Sequence, residues 1–335
     1  MPIQNKVTVQ EIANEAGVSI ATVSRILNHK DNIKEETRKK VYNAMKKMDF
    51  RPDLSNGITN FESKLILMSV SEFSNPFISN IIKGAQASAL RRGYHLLLYQ
   101  SDNIYNSIGD YESLLKNNPI AGFILLSNLI DTKLLERLSF HYPVVMCSEY
   151  CEGCDISYVS INDFTAAKSS TDYLISIGRK KIALMNSSME HKYAHQRESG
   201  YIASLRNASI DVNESWIIHL SSVNFDIALS SAEDLLSSEN RPDAFFAVSD
   251  IFAASIIKAC NKLRLSVPKD VAVIGFDNID ISRMTAPTIT TVNQPSFQMG
   301  FQACDLLIDK INNPGMQNKQ ILLDTELIVR GSTQI

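Results

Sequence analysis

The chain has 335 residues, 44% of them apolar and 21% charged, with a formal net charge of -3. This is an ordinary globular composition for about two domains, and it excludes a disordered or collagen-like chain. No apolar run reaches the roughly 18 residues that span a bilayer, and the start, Met1-Pro2-Ile3-Gln4-Asn5-Lys6, has no apolar stretch behind its basic residue, so a cytoplasmic protein with no membrane partner is expected.

The charge is unevenly spread. Residues 1–52 carry ten Lys/Arg against six Asp/Glu, a net of +4, while the rest carries 23 against 30, a net of -7. A small basic head on a larger acidic body points to a polyanion at one end. Within that head, Thr8-Val9-Gln10-Glu11 has the form of a capping box, in which hydroxyl and carboxylate satisfy the first amides of a helix reciprocally. Val9, Ile12, Ala13 and Ala16 follow at helical spacing. Gly17 stands where a tight turn needs a positive φ, and Ser19 can cap a second helix, Ile20 to Leu27, with Val23 and Leu27 inward. After a polar loop, His29 to Lys34, a third helix from Glu35 presents Val41, Ala44, Met45 and Met48 on one face. Two short helices joined through a glycine turn and buttressed by a third describe a helix-turn-helix.

The second helix would carry Ile20, Ala21, Thr22, Arg25 and Asn28 outward. Small residues near its start let a helix sit deep in the major groove, and an arginine one turn on can grip guanine O6 and N7 in a bidentate pair. Thr8, Ser19 and Thr37, at helix starts, suit phosphate oxygens. The alternative, a three-helix bundle that binds nothing, is a poor use of about 50 residues, which are marginal as a pure spacer.

Beyond Leu65, short apolar runs alternate with amphipathic stretches. The runs are Leu65–Val70, His95–Tyr99, Gly122–Leu126 and Pro143–Cys147, then Lys181–Met185, Trp216–Leu220, Ala244–Val248 and Val271–Gly275. Helical patterns such as Phe77–Arg92, Phe164–Ile177 and Asp250–Leu263 lie between them. Continuous apolar runs separated by helices indicate buried parallel strands, and the break near residue 162 divides them into two similar lobes. Ligands in such sheets sit beyond the carboxyl ends of the strands.

Val7-Thr8-Val9-Gln10-Glu11-Ile12-Ala13, Ala16-Gly17-Val18-Ser19-Ile20-Ala21-Thr22-Val23-Ser24-Arg25-Ile26-Leu27-Asn28, Thr37-Arg38-Lys39-Lys40-Val41 and Phe50-Arg51-Pro52 resemble the head of the lactose-repressor (LacI/GalR) family. The resemblance continues through Asn75-Pro76-Phe77, Val271-Ala272-Val273-Ile274-Gly275-Phe276-Asp277-Asn278 and Thr291-Val292-Asn293-Gln294-Pro295. Down to the ending Glu326-Leu327-Ile328-Val329-Arg330-Gly331-Ser332-Thr333, the body is most similar to the cytidine-repressor branch.

The resemblance implies an all-α helix-turn-helix head (1–52), a linker or hinge (53–64), and a two-lobed α/β, periplasmic-binding-protein-like body (65–335). In that body one lobe comprises about 65–161 and 293–321, the other about 162–292 and 322–335, joined by three crossovers. It implies a repressor that binds a pseudo-palindromic operator as a homodimer and is switched by a sugar-like or nucleoside-like effector in the cleft. Family members wedge a leucine into the minor groove from the hinge. Here that position holds Thr59, Gly57 and Asn56 are poor helix formers, and Ile58 is the near substitute, so both a hinge helix and a flexible linker stay open.

For the effector, the resemblance implies Ser74, Asn75 and Phe77 after the first strand, Arg197, Asp277 and Gln294. Outside the family context, Phe77 would read as core, Arg197 as a surface ion pair with Glu198, and Asp277 as a turn cap with Asn278. Sugar-binding relatives often carry Asp where this chain has Ser148, beside Glu149, and Asn where it has Ser249. Ser222 replaces an aromatic, with Phe225 close by, and His191 and Tyr193 stand where a purine-responsive relative places base contacts. A nucleoside and a modified or phosphorylated sugar therefore fit as well as a plain sugar.

Other classes are weaker. A solute-binding protein conflicts with the basic head, and an enzyme finds no phosphate loop, no G-x-S-x-G elbow and no H-E-x-x-H. No cofactor is expected. A phosphoprotein co-effector is neither indicated nor opposed. The five cysteines, Cys147, Cys151, Cys154, Cys260 and Cys304, do not read as a disulfide framework. Cys151-Glu152-Gly153-Cys154 could bind metal or cycle as a disulfide, but with no second pair the better reading is a loop that happens to carry thiols.

Overall fold

The computed structural model describes residues 7–27, 33–48, 63–100, 119–126 and 132–334. The linker residues 53–62, with Ile58, and Asn28 lie outside them.

The head begins with α1 (Val9–Ala16), whose capping box forms in full: the Thr8 side chain accepts from the Glu11 amide and Glu11 accepts from the Thr8 amide at 2.7 Å. Gly17 ends the helix with φ 64°, a left-handed turn that suits glycine. The hydroxyl of Ser19 accepts from the Thr22 amide at 3.1 Å, opening α2 (Ile20–Leu27), and α3 (Glu35–Lys47) closes the unit. Ile12, Ala13, Val23, Ile26, Val41, Ala44 and Met45 form its core. Ile26 rather than Leu27 is the second fully buried residue of α2. The step from Val23 is three residues instead of four, and Leu27 packs at the margin.

The body holds two six-stranded sheets among the described residues. In the first, β1 (Leu65–Val70) pairs with β2 (His95–Gln100) and β3 (Ile120–Leu125), followed by β4 (Val144–Cys147), β5 (Ser157–Ile161) and β11 (Gln320–Leu323), all parallel. The second runs β12 (Glu326–Ile328), β10 (Thr290–Asn293), β9 (Ala272–Asp277), β8 (Ala244–Ala247), β6 (Ile182–Ser187) and β7 (Ile217–Leu220). Its one antiparallel strand is the edge strand β12, which pairs Val292 with Leu327. The chain passes between sheets after Ile161, after Asn293 and between Leu323 and Glu326. Continuously apolar strands fill both layers: Ile66, Leu67 and Met68, like Ala272, Val273 and Ile274, are fully buried.

Helices cover the sheets: α4 (Pro76–Arg91), α5 (Thr132–His141) and α11 (Ser296–Asn312) the first, and α6 (Asp163–Ser176), α7 (Lys192–Asn207), α8 (Phe225–Leu236) and α9 (Asp250–Lys262) the second, with the short α10 (Ile281–Met284) beside α9. Two glycines let α4 and α11 touch backbone to backbone. A Cβ on Gly84 would stand 1.9 Å from the Phe297 carbonyl oxygen, and one on Gly300 1.9 Å from that of Ile81. No described helix is long and apolar enough to cross a membrane.

Candidate functional site

The body's site lies where the carboxyl ends of both sheets face each other, in a cavity of about 230 Å³. Every effector residue expected from the sequence lines it except Ser74, which is exposed beside it and hydrogen-bonds Glu72. Asn75 faces the cavity and also caps α4, accepting from the Phe77 amide at 3.0 Å, and Phe77 packs half-buried against the core. Ser249 caps α9 by accepting from the Ile251 amide. Ser222 is exposed at the rim, while Phe225, the aromatic nearest it in sequence, is not among the lining residues.

Arg197 is buried, with no ion pair to Glu198. Its Nε donates to Asp163 Oδ1 at 2.9 Å, its Nη1 to the Val248 carbonyl at 2.7 Å, and its guanidinium lies 3.6 Å from the Phe276 ring centroid and 4.7 Å from that of Tyr193. Charge pairing, a carbonyl and two aromatic faces thus hold one planar fork in place. Asp163, fully buried at the start of α6, also faces Lys192 Nζ at 3.4 Å. Sequence reading did not find Asp163. Its only local mark is a carboxylate after Asn162 at a helix start, and its partners lie 29 and 34 residues on.

Three carboxylates border the cavity, Glu72 at its exposed rim and Asp277 and Glu149 within it. Asp277 accepts from Gln294 Nε2 at 2.7 Å, and loss of hydration in the cleft pushes its pKa up to about 7, partly opposed by Arg197 and by the Gln294 hydrogen bond. It does not act as a simple turn cap: Asp277 and Asn278 both take positive φ, 104° and 55°, a backbone state that gathers at binding sites because surrounding contacts must hold it. Ser148, at the end of β4, does the same at 71°. Glu149 is buried, its Oε1 accepting from the Tyr193 amide at 3.2 Å, while its Oε2 has no partner. Burial raises its pKa to about 7 against the pull of Lys192. His191 stacks on Tyr193 with ring centroids 5.2 Å apart, and its pKa is lowered by burial. Ser187 Oγ donates to the Tyr193 hydroxyl at 2.8 Å. Ser71, Glu72, Ser187 and Ser221 also line the cavity. They are polar residues at strand ends that carry no motif, and position after a strand was the one signal for them.

On the head, Ile20, Ala21 and Arg25 are exposed along α2, and Thr22 and Thr37 are half-buried. Thr8 and Ser19 stand exposed at the starts of α1 and α2, although both hydroxyls already serve their own helices.

The wider likenesses agree with this layout. Residues 8–53 match the family model for bacterial regulatory proteins of the lacI family, and residues 171–333 match the periplasmic binding protein-like domain. The HTH-type transcriptional repressor CytR of Escherichia coli (strain K12) is 31% identical over 330 residues, which cover 98% of this chain and 96% of that protein. A crystal structure from Actinobacillus succinogenes, of an uncharacterized protein, is 34% identical with a TM-score of 0.76, covering 81% of this chain and all of that one. The transcriptional regulator CelR in complex with cellobiose is 26% identical with a TM-score of 0.74, covering 97% and 99%. With a helix-turn-helix head, a two-lobed body and a full-length match above 30%, the chain belongs to the lacI family of bacterial regulatory proteins.

Proposed function

We propose that this protein is a cytoplasmic transcriptional repressor, without catalytic activity, whose operator affinity is set by a neutral, polyhydroxylated effector bound between the lobes. The carrying observation is the convergence of Asn75, Phe77 and Glu149 from one lobe with Tyr193, Arg197 and Asp277 from the other on a single cavity, in a chain that presents Arg25 on an exposed helix. A ligand touching both walls favours the closed arrangement over the open one, and only such differential binding can move a conformational equilibrium.

Chemistry narrows the effector. Carboxylates accept paired hydroxyls, a planar arginine donates to hydroxyls or carbonyls, and aromatic rings stack on a sugar face or a base. Glu149 and Asp277 lie on the same cavity, with Asp163 behind Arg197, which disfavours a phosphorylated sugar and favours a nucleoside or a plain sugar. On DNA, a homodimer places α2 of each protomer in successive major grooves of a pseudo-palindromic operator. Arg25 and the small residues beside it read bases, while Thr8, Ser19 and Thr37 face phosphates. Asn28 and Ile58, outside the described residues, are DNA contacts in the same reading.

The test is a thermal-shift screen of the full chain against nucleosides, sugars and sugar phosphates, followed by operator binding with and without the hit. A ligand that binds only the folded state raises the melting temperature. A nucleoside or sugar that both stabilises the protein and changes operator affinity supports the proposal. A response to sugar phosphates alone, or none to any class, refutes it.

A further inference from the structure

The segment between β4 and β5 fastens the two lobes together. From it, Glu149 Oε1 accepts the Tyr193 amide at the start of α7, the Tyr150 ring lies 4.1 Å beneath Lys192 Nζ, and Glu152 Oε1 accepts Gln196 Nε2 at 3.0 Å. Three contacts therefore pass from one short loop to one helix of the other lobe. Within that loop Cys151 and Cys154 are joined as a disulfide, half-exposed, around the exposed Glu152 and Gly153. The sequence reading of idle loop thiols does not account for this pairing. Cys151 also lines a second, open cavity of about 730 Å³ on the lobe seam, shared with Tyr150, Glu152, Phe164, Lys192 and Gln196. The remaining cysteines, Cys147, Cys260 and Cys304, are buried in the two lobes, and desolvation pushes each thiol up to about 12.

We propose that Cys151 and Cys154 are a reversible redox site that exchanges with a small-molecule disulfide admitted through this seam cavity, and that the bond between them tightens the clasp on α7. The site needs no effector, so it stands whether or not the effector reading above holds.

The exchange balances as two thiol–disulfide steps. One protein thiolate attacks a sulfur of the small disulfide, forming a mixed disulfide and expelling one small thiolate. The second protein thiolate attacks the protein-side sulfur of that mixed bond, closing Cys151–Cys154 and expelling the second. The two protons lost by the cysteines end on the two released thiols. The protein pair is oxidised, the small disulfide is reduced, and a small thiol in excess reverses both steps. Closing the ring fixes the backbone from Cys151 to Cys154, so Glu152 within it loses less freedom when it meets Gln196 of α7. Reduction returns that freedom and loosens the clasp.

The test uses the full chain equilibrated with glutathione at varied ratios of oxidised to reduced form, followed by alkylation and mass mapping, and then amide hydrogen exchange on both forms. The expectation is that Cys151 and Cys154 lose two hydrogens together, while Cys147, Cys260 and Cys304 stay thiols until the chain is denatured. On reduction, the amides at the start of α7 should exchange about fivefold faster, the size that freeing about one residue's backbone would give, and those of β9 should not change. The double variant C151S/C154S should match the reduced form under every condition. A pair that stays reduced in the folded protein at every ratio overturns the proposal. So does α7 exchange that is identical in the two forms.

Discussion

Glu149 offers a quantitative test of the cleft's electrostatics. It is only 4% exposed, keeps one oxygen unpartnered, and has its pKa raised by burial from 4.5 to about 7. A carboxyl that binds its proton more tightly when folded favours the native state while it is protonated. That contribution is complete below the unfolded value near 4.5 and is lost as pH rises through about 7. At 1.36 kcal/mol per unit, a shift of roughly two and a half units amounts to about 3 kcal/mol against folding at about pH 8. The substitution Glu149→Gln removes the ionisation and keeps an oxygen for the Tyr193 amide. It should therefore stabilise the protein by about 3 kcal/mol at about pH 8 and by only about 1 kcal/mol at about pH 5. Urea unfolding of both proteins at the two pH values measures the difference. A variant equally displaced from wild type at both pH values, or less stable than wild type at the higher one, would mean that Glu149 is not carrying a buried charge, and the reasoning fails.

Arg25→Ala should reduce discrimination between operator and non-operator DNA about ten- to a hundredfold, the size of a bidentate guanine contact. The thermal response to the effector should stay unchanged, and loss of both would break the two-module reading. Asp277→Asn, chosen because asparagine tolerates the left-handed backbone at this position, should weaken the effector about ten- to a hundredfold, as loss of a charged hydrogen bond does. Isothermal titration checks it, and unaltered affinity removes Asp277 from the site. Gly300→Ala should cost at least about 2 kcal/mol in urea unfolding, because its Cβ would meet the Ile81 carbonyl oxygen at 1.9 Å. An unchanged unfolding midpoint would mean that α4 and α11 can part freely.

The sequence was legible where burial is apolar and local. The strand beginning at Leu65 was found because one continuous apolar run is buried on both faces, and Gly17 and the Thr8–Glu11 box because turn and cap chemistry act within a few residues. Strands β5 and β10 passed unnoticed because they bury Ser157, Ser160, Thr290 and Thr291. Such residues tolerate burial only through distant partners: Ser157 donates to Asn318, and the Thr290 amide to Ser332. The same limit hid half of the cleft. Arg197 could be matched to a family position, but its anchor Asp163 lies 34 residues away, and the Glu149 carboxylate reaches a backbone amide 44 residues on. Neither spacing is periodic, so no pattern along the chain announces it.

The passage of the chain between sheets dictates an order of synthesis. When residue 161 leaves the ribosome, the first lobe has five of its strands, but α4 still lacks α11 and β5 still lacks β11. Those partners arrive some 135 to 160 residues later. The second lobe waits for the same stretch, since β12 and the hydrogen bonds from Ser332 to the Val273 carbonyl and from the Thr290 amide to Ser332 come last. Both lobes are thus completed within the final few dozen residues. A chain that stops before residue 320 lacks both β11 and β12 and so presents two unfinished sheets at once.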